Sequence, residues 1–419
     1  MKLPEHLKTF ITGSLITIGG NLVLGMSNYF IRRTMSIELS EVDYGCFYGV
    51  YSLICIITAF LDLGIVNAGT VLCAEEKAKS HEIFSVIFFF EFIVGLFACC
   101  AMFFGSGIIA KYYLAGYGSR LLKIFSFGLL GISLNGAFVA YFMGHKYFKI
   151  CCIFRCLISL GVWGGLIFCG ENLSLNNAAL AFTLSYFFFI PIQLIWVQHD
   201  CGYWPSLKYF KDSYKKILNF IGILAFVSFL QTLLFNMDSV MLTVLRGVEA
   251  TAVYNIALPI TQLLLSVLVF SSVFLPMTAE MLQAREFVRL KKYVNVFLFS
   301  TILGIPCIWL ICRWGGIFLI TLFFDDKYAE QASQALPWLM CGYFLFSLGS
   351  FVSQILISMR ELKPLLIISI LTVVLNFSLN VFLICSASYT GAAIATCCSY
   401  LFFAIISCFT FYRKIRGGI

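Results

Sequence analysis

The 419 residues are 61% hydrophobic and 11% charged, with a mean hydropathy of +0.96. Soluble chains run at about 45–50% apolar and about 25% charged, so this one lacks the polar side chains to cover a water-facing surface, and a soluble globular enzyme is excluded. A bilayer core about 30 Å thick takes about 20 helical residues per crossing, so twelve crossings use roughly 250 residues and leave no room for a sizeable extramembrane domain.

Apolar runs of spanning length lie at about 9–31, 44–70, 83–106, 123–143, 151–170, 178–198, 216–238, 251–278, 293–322, 334–358, 364–386 and 391–412. The pattern predicts an all-α integral membrane protein with twelve transmembrane helices. The first run follows Lys2 and Lys8 as a signal peptide would, but it is too long and lacks a small-residue cleavage site, so it reads as a retained span. Pro191, Pro259, Pro276 and Pro306 fall inside spans, as do Gly19, Gly20 and Gly25 in the first; breaks are expected there, because such residues free backbone carbonyls and let helices bend.

The charges give an orientation. With the N-terminus inside, inner segments hold 19 Lys and Arg, among them Lys77, Lys208, Lys211, Lys215, Lys216, Arg285 and Arg413, against 8 at outer segments and helix ends. The positive-inside rule then places both termini in the cytoplasm. The net charge of +8 is thus a matter of topology, and no nucleic-acid partner is expected. Seventeen cysteines lie mostly in apolar runs, where Cys behaves as a small hydrophobe. Their doublets, such as Cys151 and Cys152, lack metal-ligand spacing, so neither a metal site nor a disulfide framework is expected.

A polar stretch at about 199–215, with Pro205, lies near the centre of the chain and separates two expected lobes, 1–205 and 206–419. Within them Ala178-Ala179-Leu180-Ala181-Phe182-Thr183-Leu184-Ser185-Tyr186 matches Ala392-Ala393-Ile394-Ala395-Thr396-Cys397-Cys398-Ser399-Tyr400 at five of nine positions, 214 residues apart. Tyr48 and Tyr254, and Tyr117 and Tyr328, correspond at offsets of 206 and 211. Two copies of six helices, an even number, point the same way in the membrane. The expected architecture is two parallel six-helix lobes around a central cavity, working by alternating access.

Ionisable groups inside spans cost about 2.5–3.5 kcal/mol on insertion scales and are functional candidates by default. Asp62 and Glu91 lie at similar depths on the second and third spans and Asp238 near the outer end of the seventh; all three are candidates for binding a coupling ion. A carboxyl pair at one depth can share a proton or bind a cation, or each can sit neutral and hydrogen-bonded, and the sequence leaves both open. Asp238 precedes Tyr254 by sixteen residues and Arg32 precedes Tyr48 by sixteen, so the two copies place opposite charges at equivalent positions. Arg32, Arg33, Arg246 and Arg313 gather at outer helix ends, with Arg155 as an inner counterpart. Such side chains often snorkel to the interface; together they fit an anionic ligand, because guanidinium forks match phosphate oxygens. Asn255, Gln262, Asn376 and Asn380 would bond sugar hydroxyls or neighbouring helices. No phosphate-binding Gly-rich loop, nucleophile elbow or zinc-protease motif is present, so no enzyme is expected.

Taken in order, Tyr44-Gly45-Cys46-Phe47-Tyr48, Asp62-Leu63-Gly64-Ile65, Asn236-Met237-Asp238-Ser239-Val240-Met241-Leu242 with Tyr254-Asn255, Leu375 to Ile384 and Gly391 to Thr396 resemble the polysaccharide-transport branch of the multidrug/oligosaccharidyl-lipid/polysaccharide (MOP) exporter superfamily, and most of all bacterial O-antigen flippases. Cys385 stands where such proteins often carry a proline. The resemblance implies translocation of undecaprenyl-pyrophosphate-linked repeat units across the bacterial inner membrane, coupled to H⁺ or Na⁺ and needing no cofactor. Its implied partners are the lipid-linked oligosaccharide, membrane lipids, the glycan polymerase and the chain-length regulator, and its implied state is a monomer. Flippases for capsule, exopolysaccharide or another lipid-linked glycan, a multidrug/cation antiporter, and a membrane glycan polymerase are the alternatives.

Overall fold

The computed structural model describes residues 5–62, 64–76, 79–210, 222–268, 278, 281, 286–324 and 326–416, with side chains described from residue 19 onward except at 21 and 263–268. Lys77, Lys211, Lys215, Lys216, Pro276 and Arg285 lie outside the described residues. Within that range the structure is helical: α1 (Glu5–Glu38), α2 (Glu41–Asp62), α3 (Ile65–Glu75), α4 (Ser80–Tyr113), α5 (Ser119–Gly144), α6 (Phe148–Cys169), α7 (Leu175–Cys201), α8 (Ile223–Leu245), α9 (Val248–Leu268), α10 (Phe287–Phe323), α11 (Ala329–Ser358) and α12 (Leu362–Arg416). Nine of these, among the described residues, are long and apolar enough to cross a membrane. A backbone in hydrocarbon must satisfy its own hydrogen bonds, and helices do so within one segment. Over the described residues, each expected span falls on a helix. The second is divided between α2 and α3, and the last two are joined in the 55 residues of α12 around a non-helical Ser388 (φ 52°).

Contacts divide the chain into two compact units, Met1–Asn236 and Met237–Ile419. In the first, the core gathers side chains of α3 to α7, including Ile65, Leu72, Phe84, Phe138, Phe142, Phe154 and Val197. Phe142 stacks on Phe154 (centroids 5.7 Å apart, planes 7° apart) and meets Trp196 edge-on at 5.1 Å. In the second, Leu290 and Val294 of α10 pack with Val352, Ile355 and Leu356 of α11 and Phe411 of α12. The large apolar side chains left exposed, such as Phe97, Phe104, Phe168, Trp314 and Phe318, are those a bilayer would cover. All seventeen cysteines are free thiols.

Local chemistry fixes the helix ends. Ser40 accepts from the Asp43 amide at 3.1 Å and donates to the Asp43 carboxylate at 2.9 Å, opening α2, and Ser174 accepts from the Asn177 amide to open α7; short polar side chains at these positions satisfy amides that have no partner inside the helix. Tyr117, in the α4–α5 turn, donates to Asp43 at 2.7 Å; that bond to a carboxylate pushes its phenol up to about 12.

The expected breaks are elsewhere than proline and the first-span glycines predicted. The helices continue through Pro191, Pro259 and Pro306, and α1 runs unbroken past Gly19, Gly20 and Gly25. In a spanning segment packed by neighbours, a proline's freed carbonyl is tolerated without ending the helix. The breaks occur at Gly64, whose φ of +87° favours glycine, and at Ser388, where the chain turns so tightly that a Cβ on Gly391 would lie 1.9 Å from the Leu383 carbonyl oxygen.

Gly391→Ala is therefore expected to destabilise the protein by about 1–3 kcal/mol, read as a lower melting temperature in detergent. Gly107→Ala, where an added Cβ meets nothing within 4 Å, is the control and should not lower it.

Candidate functional site

In the second unit, the buried charge is Asp238 of α8, 2% exposed. One carboxylate oxygen, Oδ2, accepts from the Tyr254 hydroxyl of α9 at 2.6 Å and from the Thr396 hydroxyl in the second half of α12. The other, Oδ1, accepts from Asn380 Nδ2 in the first half of α12 at 2.6 Å. Asn380 also donates to Asn376 Oδ1 at 3.0 Å, one turn away. Both asparagines are 0% exposed; the Asn376 side chain also bears on the Asp238 carboxylate, and Asn380 Oδ1 has no hydrogen-bond partner.

The acid is thus held by three neutral donors from α9 and from both sides of the Ser388 break. A buried carboxylate is expensive unless paired, and here the surrounding groups are hydroxyls and amides. Six side-chain oxygens, from Asp238, Tyr254, Asn376, Asn380 and Thr396, converge, with one carbonyl oxygen unpartnered. Oxygen sets of this kind suit a hard cation or a proton. Among the described residues no group of three or more His, Cys, Asp and Glu could hold a metal, so a transition-metal centre is not what this cluster offers. Asn255, one helix turn after Thr251, donates to Ser239 at 3.0 Å and to the Thr251 carbonyl at 2.9 Å, bracing α9 on α8 beside the acid.

In the first unit the equivalent position holds the opposite charge. The Arg32 guanidinium of α1 lies over the Tyr48 ring of α2, 4.2 Å from its centroid. The Tyr48 ring meets Tyr44 at 4.8 Å and Tyr51 at 6.1 Å, and Tyr44 and Tyr51 both bear on the Arg32 charge. The repeat detected in the sequence places Phe182 opposite Thr396. Where Thr396 bonds the acid, Phe182 instead packs edge-on against Tyr51 at 5.5 Å and Phe47 at 6.4 Å. A guanidinium held against aromatic rings keeps a planar fork of N–H donors, the kind of group that meets phosphate or carboxylate oxygens.

The remaining candidates are spread out. Arg33 is exposed and donates to the Tyr29 hydroxyl at 3.1 Å. Arg155, exposed on α6, is within electrostatic reach of Tyr186. Arg246, following α8, donates to the Ile384 carbonyl at 3.0 Å and to that of Cys385, binding the carbonyls that precede the break in α12. Arg313 is exposed and Gln262 half-buried. Asp62 ends α2 and accepts from the Val66 amide at 2.9 Å, and Glu91 is buried in α4 at 2% exposure. Tyr44, Tyr51, Tyr254 and Thr396 were not singled out as site residues from sequence. The shared spacing of sixteen residues from each charge to its tyrosine was the available signal.

The chain is a multi-pass membrane protein whose fold is shared with solved transporters. The structure is similar to an inward-facing multidrug resistance MATE family transporter of the MOP superfamily, with a TM-score of 0.73 at 16% identity over 96% of this chain and 98% of the other. It is also similar to a MOP superfamily transporter from Pyrococcus furiosus, with a TM-score of 0.71 at 17% identity over 98% and 96%. A Vibrio cholerae MATE transporter gives 0.69 at 12% identity over 98% and 97%. No curated protein matches the sequence. The family model described as polysaccharide biosynthesis protein matches residues 39–333, and the chain belongs to that family.

Because Arg246 bonds two backbone carbonyls while Arg313 is exposed, Arg246→Ala is expected to lower the melting temperature in detergent and Arg313→Ala to leave it unchanged. Equal melting curves for the two variants would remove the capping role of Arg246.

Proposed function

We propose that the protein is a flippase that carries undecaprenyl-pyrophosphate-linked O-antigen repeat units from the inner to the outer leaflet of the bacterial inner membrane, driven by H⁺ or Na⁺. The observation that carries the reading is the pair of equivalent positions. One copy of the repeat holds an arginine on tyrosine, suited to a diphosphate; the other holds a dehydrated acid on tyrosine, suited to the coupling ion. Membership of a polysaccharide-biosynthesis family on a transporter fold supports a glycan cargo over a drug-like cation. Arg32 is the anchor for the diphosphate, with Arg33 and Arg155 as further contacts along the route, and Asp238 with Asn376, Asn380 and Thr396 is the ion site.

The energetics agree in sign. A negative cell interior favours outward movement of an anion by about 2.3 kcal/mol per charge per 100 mV. The same field draws a cation inward to and through Asp238, so one potential drives both steps. The excess of lysine and arginine in the inner loops supports cytoplasmic termini. The glycan polymerase and chain-length regulator are the partner proteins this reading implies.

Transport of a lipid-linked repeat unit into reconstituted vesicles is the test. Asp238→Asn is expected to lower transport about tenfold or more and abolish its dependence on the ion gradient. Arg32→Ala should lose transport, and Arg32→Lys should keep part of it, since lysine retains the charge without the fork. Normal transport by both Asp238→Asn and Arg32→Ala would sink the assignment. The orientation is read separately: a fluorescent protein fused after Ile419 should mature and glow, and an alkaline phosphatase fused there should be inactive.

A further inference from the structure

The first unit contains an acid that the proposed transport cycle does not use. Glu91 is 2% exposed in the interior of α4, and its Oε1 has no hydrogen-bond partner. Its carboxyl takes a hydrogen bond from Ser133 of α5 and lies within electrostatic reach of the Asp62 carboxylate. Helix packing is close here: a Cβ on Gly95, one turn along α4, would lie 3.0 Å from Ser133 Cβ and 3.2 Å from its Oγ.

The neighbouring acid is differently placed. Asp62 is the last residue of α2, and its carboxylate accepts from the Val66 amide at 2.9 Å and is hydrogen-bonded by the Gly64 and Ile65 amides as well. These amides open α3, so Asp62 caps that helix just before the break at Gly64, where φ is +87° and a Cβ would lie 2.2 Å from Ala225 Cβ. Three backbone donors and a helix N-terminus favour a negative charge on Asp62. Glu91 has one donor and one bare oxygen. An ionised oxygen left bare among apolar side chains costs far more than a neutral one, and two like charges within electrostatic reach of one another repel.

Other elements packed on α4 add no further charge at this point. Among the described residues, α3 meets α4 there through Gly69 against Ile87, α5 through Ser133, and the turn at Leu207–Tyr209 through Tyr209 against His81, ten residues before Glu91.

From this geometry we propose that Glu91 is a proton-carrying site of the first unit, separate from Asp238, and that its protonation holds the α2–α3 junction closed. With a proton on Glu91, Asp62 carries the only negative charge and caps α3. When the Glu91 O–H bond breaks and the proton passes to water, a second carboxylate faces Asp62, and repulsion between them loosens the cap at Gly64. Linkage to transport rests on the flippase reading above; proton binding itself does not.

The experiment is infrared difference spectroscopy on the purified, substrate-free protein, titrated with pH, alongside hydrogen–deuterium exchange of α3. A protonated-carboxyl C=O band should disappear as pH rises. That band should be absent in Glu91→Gln, shifted in Ser133→Ala, which removes its hydrogen-bond donor, and retained in Asp238→Asn. Over the same pH range the protection factor of the Val66 amide should fall about tenfold in the wild type and stay constant in Glu91→Gln. A band spectrum unchanged by Glu91→Gln would overturn the proton site. A band lost in Glu91→Gln with Val66 protection independent of pH in the wild type would overturn the closure it is said to control. Neither readout involves glycan, so failure of the flippase reading leaves both intact.

Discussion

A charge removed from water must be met by something fixed, and at both Asp238 and Arg32 a tyrosine is among the groups that meet it. Asp238 receives the Tyr254 hydroxyl at 2.6 Å; Arg32 lies on the Tyr48 ring at 4.2 Å. One residue type serves both signs because its hydroxyl donates to an anion and its π-face attracts a cation. The same helix–turn–helix frame therefore accepts either charge in either copy, and the rest of each unit is arranged around which one it received. Where the charge is negative, Thr396 and Asn380 converge on it. Where it is positive, the matching neighbourhood is aromatic, with Phe182, Tyr51 and Phe47 in edge-on contact.

The internal repeat in the sequence pairs Arg32 with Asp238, and the groups around each differ with its sign. The small residues of the repeat are retained for another reason. Ala178, Ala179, Ala392 and Ala393 are all 0% exposed, as expected where helices approach closely in a membrane. The two stretches thus share their packing residues while Thr396 and Phe182, at matching positions, differ in polarity.

Much of this was legible in the sequence because lipid leaves little freedom. Twelve apolar runs could only be helices, and scarce intramembrane charges could only be few and placed. Asp238, Asn376 and Asn380 could be picked out as polar residues in apolar surroundings. That they converge could not, since Asp238 and Asn380 are 142 residues apart and their meeting depends on the turn at Ser388. Arg246 carries the same residue type as Arg32, yet its fork binds backbone carbonyls beside that turn. Composition does not distinguish an arginine on a ring from one on a helix end. The break at Gly64, inside one expected span, was hidden, because proline is the stronger local signal yet neighbouring helices absorbed its effect; the turn at Ser388 falls in the expected gap between the last two spans, and only its positive φ had no marker in the sequence.

The distribution of Asp238's donors along the chain has a consequence for biogenesis. Thr396 lies 158 residues after Asp238, so at about 5–20 residues per second a ribosome needs roughly 8–30 s to supply it. During that interval α8 has to enter the membrane with its acid lacking most of its final partners. Tyr254, sixteen residues on, is the donor made within seconds and carried by the next span to be inserted. The nearby tyrosine is therefore the first of the acid's three donors to be made, and the same short spacing from charge to tyrosine recurs at Arg32 and Tyr48.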